Sequence, residues 1–99
     1  MSVFKDLKVV ELASVLAGPA VGMFFAELGA NVIKIENKKT NGDVTRNWKS
    51  SNEKTKNTSA YFSSVNWGKE HLFIDYSNNK DFSKLLSLLK EADIIICNF

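Results

Sequence analysis

The stretch VVELASVLAGPAVGMFFAELGANVIKIE, residues 9–36, decides the fold. It opens on a short apolar run, Val9-Val10-Glu11-Leu12-Ala13, too short for a globular helix. A turn centred on Gly18-Pro19 follows, then an apolar segment from Ala20 to Leu28 closed by Gly29. A second run, Val32-Ile33-Lys34-Ile35, is rich in β-branched residues, which favour strands. Strand, glycine-containing turn, helix and strand make a βαβ unit of a parallel sheet.

Working outward, residues 7–13 read as strand one, and their near-continuous apolarity implies burial on both faces. Pro19 suits the first helical position, where its missing N–H costs nothing. Val21, Phe24, Phe25 and Leu28 fall on one helical stripe and are expected in the core. Gly22 allows a close helix-to-sheet approach, and Gly29 is placed to end the helix in a left-handed conformation. Residues 31–36 read as strand two.

Residues 37–58 are polar and rich in lysine and asparagine, with little apolar content beyond Val44 and Trp48, and read as a long surface loop. Within it, Asp43 and Arg46 are expected to pair and order the loop. Residues 59–65 suit one or two helical turns. Strand three falls at residues 71–76, followed by N-cap candidates Ser77-Asn78-Asn79 and by Asp81 in the first helical turn. A helix running to Ala92 carries Phe82, Leu85, Leu86 and Leu89 on one stripe. Strand four, residues 93–97, is apolar. The whole reads as β-α-β-loop-β-α-β, a Rossmann-like open parallel α/β sheet. Strand four has no element after it to cover it, so a truncated chain is expected.

Composition narrows the function. At 99 residues, one small domain is expected, and 44% hydrophobic content argues against disorder. A net charge of +2 falls far short of the basic stripe of a nucleic-acid binder. A single cysteine, Cys97, excludes an internal disulfide framework and a multi-cysteine zinc site. No apolar run is long enough to span a bilayer, and the first residues lack a signal-peptide core. A cytoplasmic protein without nucleic-acid or membrane partners is the expectation. No GxGxxG or GxxxxGK[ST] motif occurs. Ligands of open α/β sheets bind outside the carboxyl ends of the strands. Those ends are residues 14–19, 37–39, 75–78 and 98–99.

Several motifs together resemble the N-terminal part of the class III CoA-transferases. They are LASVLAGPAVGMFFAELGANVIKIE, then Gly42-Asp43-Val44-Thr45-Arg46-Asn47-Trp48, Asn66-Trp67-Gly68-Lys69, Ile74-Asp75, and Ala92-Asp93-Ile94-Ile95-Ile96-Cys97-Asn98-Phe99. That family includes formyl-CoA transferase, the carnitine and bile-acid CoA-transferases, and α-methylacyl-CoA racemase, and its members are several times longer. The resemblance implies that residues 1–99 are the N-terminal part of a CoA-binding domain, with no complete second domain. It implies coenzyme A or acyl-CoA as substrate, carboxylic acids as co-substrates, no permanently bound cofactor, and homodimers of interlocked rings. The aspartate that carries the acyl group lies beyond Phe99 in the family pattern, so no catalytic residue is expected here and the chain alone is expected to be inactive. Alternatives are the racemase branch, or a non-catalytic remnant or binding module.

Carried over position by position, the resemblance places CoA contacts at Ser14, Leu16 and Ala17 after strand one. It places others at Asn37 and Lys38 after strand two, at Ile74, Asp75 and Ser77 at the end of strand three, and at Asn98 and Phe99 after strand four. Some members have histidine at position 14, glutamine at 16, a basic residue at 37 and lysine at 77. His71 is read as structural or solvated, Cys97 as buried packing, and Asp75 as a turn-positioning residue. Trp48, Tyr61, Phe62 and Trp67 either close the long loop over the sheet or meet a partner chain.

Overall fold

The computed structural model of the protein describes residues 3–54 and 58–98. Four parallel strands, β1 (Lys8–Leu12), β2 (Asn31–Asn37), β3 (Glu70–Ile74) and β4 (Ile94–Cys97), lie in the order β3-β2-β1-β4. Helix α1 (Ala17–Glu27) joins β1 to β2, and α3 (Asn79–Glu91) joins β3 to β4. Between β2 and β3 run two 3-10 turns, Lys38–Thr40 and Val44–Asn47, and the short helix α2 (Ala60–Ser64). The expected element order is therefore present, with boundaries shifted by a residue or two.

Alternation along the strands divides the core into two layers. Val10, Ile35 and Ile74 pack with Leu85 of α3 on one face. Val9 and Val32 pack with Ala30, Phe4 and Phe25 on the α1 face. β1 is buried as expected, with Val9, Val10 and Glu11 at 1%, 3% and 0% exposure. The α3 start follows its sequence signal, since the Asn78 side chain accepts from the Asp81 N–H. Gly29 leaves α1 at φ +100°, a backbone conformation that glycine adopts without steric cost.

Helix α1 departs from the amphipathic expectation. Its inward face is Gly18, Pro19 and Gly22, whereas Val21 and Phe24 are 46% and 52% exposed. It begins two residues before Pro19, capped by no side chain. The reason lies beneath it: the sheet surface facing Gly22 is the Glu11 carboxylate, not an apolar side chain. Small residues bring the helix backbone close to that charged surface. Phe82 of α3 is likewise 45% exposed. Cys97 is exposed rather than buried, because β4 alternates and only Ile94 and Ile96 face the packed layer.

The long loop also inverts its hydrophobic pattern. Val44 and Trp48 are about half exposed, while Asp43 and Thr45 are 5% and 0% exposed. Polar groups go inside here because buried charges on the strands need partners.

A Cβ at Gly22 collides with the Glu11 carboxylate and meets Lys69 Cε at 3.2 Å. Gly22→Ala gains about 0.5–1 kcal/mol of helix propensity but overpacks a rigid contact, typically at about 1–3 kcal/mol. Urea unfolding is expected to show a net loss of stability; an unchanged or raised midpoint would contradict the close approach.

Candidate functional site

All four strands point their carboxyl ends the same way, and the order β3-β2-β1-β4 places a switch point between β1 and β4. The chain leaves β1 in one direction for β2 and returns on the other side as β4, the arrangement at which open α/β sheets bind ligands. A cavity of about 850 Å³ lies there. Ser14, Asn37 and Asn98 line it at three strand tips, and Ile35, Phe82 and Leu85 supply apolar wall. The sequence reading missed Thr40, Asn47 and Tyr76, which also line it and come from the turns around the tips.

At the switch point, Ser14 and Asn98 exchange two hydrogen bonds. The Ser14 N–H donates to Asn98 Oδ1 at 3.0 Å, and Asn98 Nδ2 donates to the Ser14 carbonyl at 2.6 Å. Asn37 is half-buried, and its Oδ1 accepts from the Lys39 N–H at 3.0 Å. The remaining candidates are arranged differently. Leu16 and Ala17 are exposed at the start of α1 and do not line the cavity, nor does exposed Lys38. The Ile74 side chain is 1% exposed and belongs to the core, which leaves it no surface for a ligand. Asp75 and Ser77 form a turn: Asp75 Oδ1 accepts from the Ser77 N–H at 3.0 Å and from its hydroxyl at 2.7 Å. Those bonds, with Lys38 and Lys39 nearby, hold the Asp75 carboxyl below its ordinary range despite slight desolvation. This matches a turn-positioning role. Phe99 lies outside the described residues.

Behind the groove is a buried charge network. Lys34 Nζ donates to Glu11 Oε2 at 2.8 Å and to the Ala13 carbonyl at 2.8 Å, and lies 3.0 Å from Asp43 Oδ2. An ammonium has three donors, and each has an acceptor here. Lys69 Nζ donates to the Pro19 carbonyl and Asn66 Oδ1, both at 2.8 Å, and sits 2.7 Å from Glu11 Oε1, a charge contact rather than an aligned hydrogen bond. Burial lowers the Lys69 pKa, with Glu11 opposing that shift. Two cations thus face two carboxylates, Glu11 and Asp43.

A second cluster adjoins the first. Arg46 grips Glu36 with two bonds, of 2.7 and 2.6 Å, and His71 Nδ1 lies 3.1 Å from Glu36 Oε2. The guanidinium stacks 4.1 Å from the Phe62 ring centre and 5.3 Å from that of Phe73. The expected Asp43–Arg46 side-chain pair is therefore replaced: Asp43 meets Lys34 and Arg46 meets Glu36. The physical reason is that buried Lys34 and Glu36, at 0% and 3% exposure, each require an opposite charge from the loop. His71 has the structural role expected of it. Charged residues inside apolar strands, at positions 11, 34 and 36, were the available signal for this network. Glu11 and Lys34 are in fact register partners across β1 and β2. Among the described residues, no cluster of His, Cys, Asp or Glu is suited to hold a metal ion.

Burial pushes the Glu36 pKa up, but Arg46, His71 and the Asp43 N–H outweigh it and bring the carboxyl from 4.5 to about 2. The unfolded chain therefore takes up a proton at Glu36 before the folded one does. That contribution to stability is complete above pH 4.5 and lost as pH falls toward about 2. At 1.36 kcal/mol per pKa unit it amounts to about 3 kcal/mol. Glu36→Gln is expected to flatten part of the acid limb between those pH values in equilibrium unfolding; an acid limb as steep as that of the parent protein would contradict the assignment.

Residues 4–99 match the family model described as CoA-transferase family III. The chain is 38% identical over 101 residues to a succinyl-CoA:mesaconate CoA-transferase of Haloarcula hispanica, covering all of this chain and 25% of that protein. It is 37% identical over 97 residues to a succinate–glutarate CoA-transferase of Agrobacterium fabrum, covering 94% of this chain and 24% of that one. A CAIB/BAIF family protein from Brucella suis superposes at a TM-score of 0.85 with 39% identity, covering 99% of this chain and 26% of its own. The chain thus spans about a quarter of the length of the relatives it matches. With the parallel sheet, the switch-point groove and this match over nearly its whole length, the chain belongs to CoA-transferase family III.

Proposed function

We propose that residues 1–99 form the coenzyme-A-binding N-terminal portion of a protein that moves CoA between carboxylic acids. One observation carries this reading: in a chain of this family, a groove at the strands' carboxyl ends gathers Ser14, Asn37 and Asn98 around an apolar wall. A coenzyme with a polar nucleotide and a long, partly apolar arm suits such a lining. Lys38 and Lys39 are exposed beside Asn37, where they offer positive charge to phosphates. The relatives quoted above carry the names of CoA-transferases, which favours transfer over racemisation.

In the complete protein, the acyl group would be carried on an aspartate outside these residues. The groove would hold the CoA moiety while the thioester exchanges between acids. Partners would be acyl-CoA and carboxylic acid substrates, with a second copy of the protein completing an interlocked dimer and no permanently bound cofactor. A cytoplasmic location fits these substrates. No helix among the described residues is long and apolar enough to cross a membrane.

Calorimetric titration of the complete protein with coenzyme A tests the reading. Micromolar or tighter binding is expected, about −8 kcal/mol or better, and Asn98→Ala is expected to weaken it about tenfold, or 1.4 kcal/mol. Wild-type affinity in Asn98→Ala, or no CoA binding by the parent, would refute this placement.

A further inference from the structure

The loop between β1 and α1 contains a backbone anomaly. Val15 has φ +71°, a conformation that is an outlier for a β-branched residue and persists only where the surroundings enforce it. Its neighbours show what enforces it. On one side, Ser14 is tied through both backbone polar groups to Asn98. On the other, the Val15 N–H points between the two carboxylate oxygens of Asp43, at 3.3 and 3.5 Å. Each is a long contact, and the acceptor's charge strengthens them.

Asp43 is itself held firmly. Its Oδ1 accepts from the Thr45 N–H at 2.9 Å and the Thr45 hydroxyl at 2.8 Å, its Oδ2 lies 3.0 Å from Lys34 Nζ, and its own N–H donates to Glu36 Oε1 at 2.9 Å. The carboxylate is 1% exposed. An aspartate so fixed is a rigid anchor for a strained loop. We propose that Asp43 is a positioning residue for coenzyme A: anchored by Lys34 and Thr45, it holds Val15 in the left-handed conformation and thereby sets the Ser14 wall of the groove. This inference rests on the coenzyme-binding reading above and adds to it a residue at the groove's edge whose buried carboxylate acts through the loop.

The strain supplies a specific test. If the anchor works against the intrinsic preference of Val15, then glycine at position 15, which accepts positive φ freely, should make the anchor less necessary. The complete protein is titrated with coenzyme A as parent, Asp43→Asn, Val15→Gly and the double variant, with melting temperatures recorded in parallel. Asp43→Asn is expected to weaken CoA binding about tenfold, Val15→Gly alone by less than about twofold, and the double variant to regain at least about threefold over Asp43→Asn. A purely structural role for Asp43 lowers the melting temperature but gives no recovery of affinity by Val15→Gly. Unchanged affinity in Asp43→Asn, or a double variant no better than Asp43→Asn, overturns the proposal while leaving CoA binding by the parent intact. Failure of the parent to bind CoA overturns the underlying reading and the proposal with it. If Asp43→Asn does not fold, Thr45→Val, which keeps the Lys34–Asp43 pair and removes one orienting hydroxyl, is expected to show a smaller loss with the same recovery by Val15→Gly. Absence of either effect is then the contrary result.

Discussion

The buried ammonium of Lys34 is the constraint on which the rest of this structure depends. It sits at 0% exposure in the middle of a strand, where an unpaired charge would cost many kcal/mol to desolvate. Its three acceptors come from β1, from the turn after β1 and from the loop after β2. One side chain therefore ties together the three segments that shape one side of the groove. Removing one member of such a pair typically costs about 3–5 kcal/mol, whereas replacing a whole pair by apolar residues is often neutral. The network is better understood as a device that fixes where the loops lie than as a source of stability.

The same logic explains the two layers of the sheet. On the α1 face, the strands begin apolar at Val9 and Val32 and turn charged at Glu11, Lys34 and Glu36 as they approach their carboxyl ends. On the α3 face they stay apolar through Ile35. The groove lies at the carboxyl ends, with charge holding the loops on one side and hydrocarbon walls on the other. Helix α1 accommodates the charged layer with Gly22, which faces the Glu11 carboxylate, and Pro19, whose carbonyl accepts from Lys69, and its large apolar residues Val21 and Phe24 point outward.

Much of the architecture was legible from residue patterns. The β-branched run at Val32-Ile33, the glycine at position 29 and the Asn78 cap each carry a local signal that the structure obeys. Ser14, Asn37 and Asn98 could be placed near one another because strand tips converge in any open parallel sheet. What could not be read was pairing. Nothing local to Asp43 distinguishes Lys34 from Arg46 as its partner; that choice follows from the β1–β2 register and from which side chain is buried. The exposure of Val21 and Phe24 was hidden for the same reason, since helical periodicity identifies an apolar stripe but not the charge on the surface opposite. The core position of Ile74 was missed because a strand tip offers alternate residues to the ligand and to the interior.

Under the proposed function, coenzyme A lies at the carboxyl edge of the sheet, above the β1–β4 switch point. The most direct test is a crystal structure of the complete protein with coenzyme A bound. The account predicts density running along the groove in contact with Ser14, Asn37 and Asn98. Coenzyme A seated instead at the opposite edge of the sheet, in the hollow of about 530 Å³ beside Lys5, Asp6 and Lys8, would contradict it.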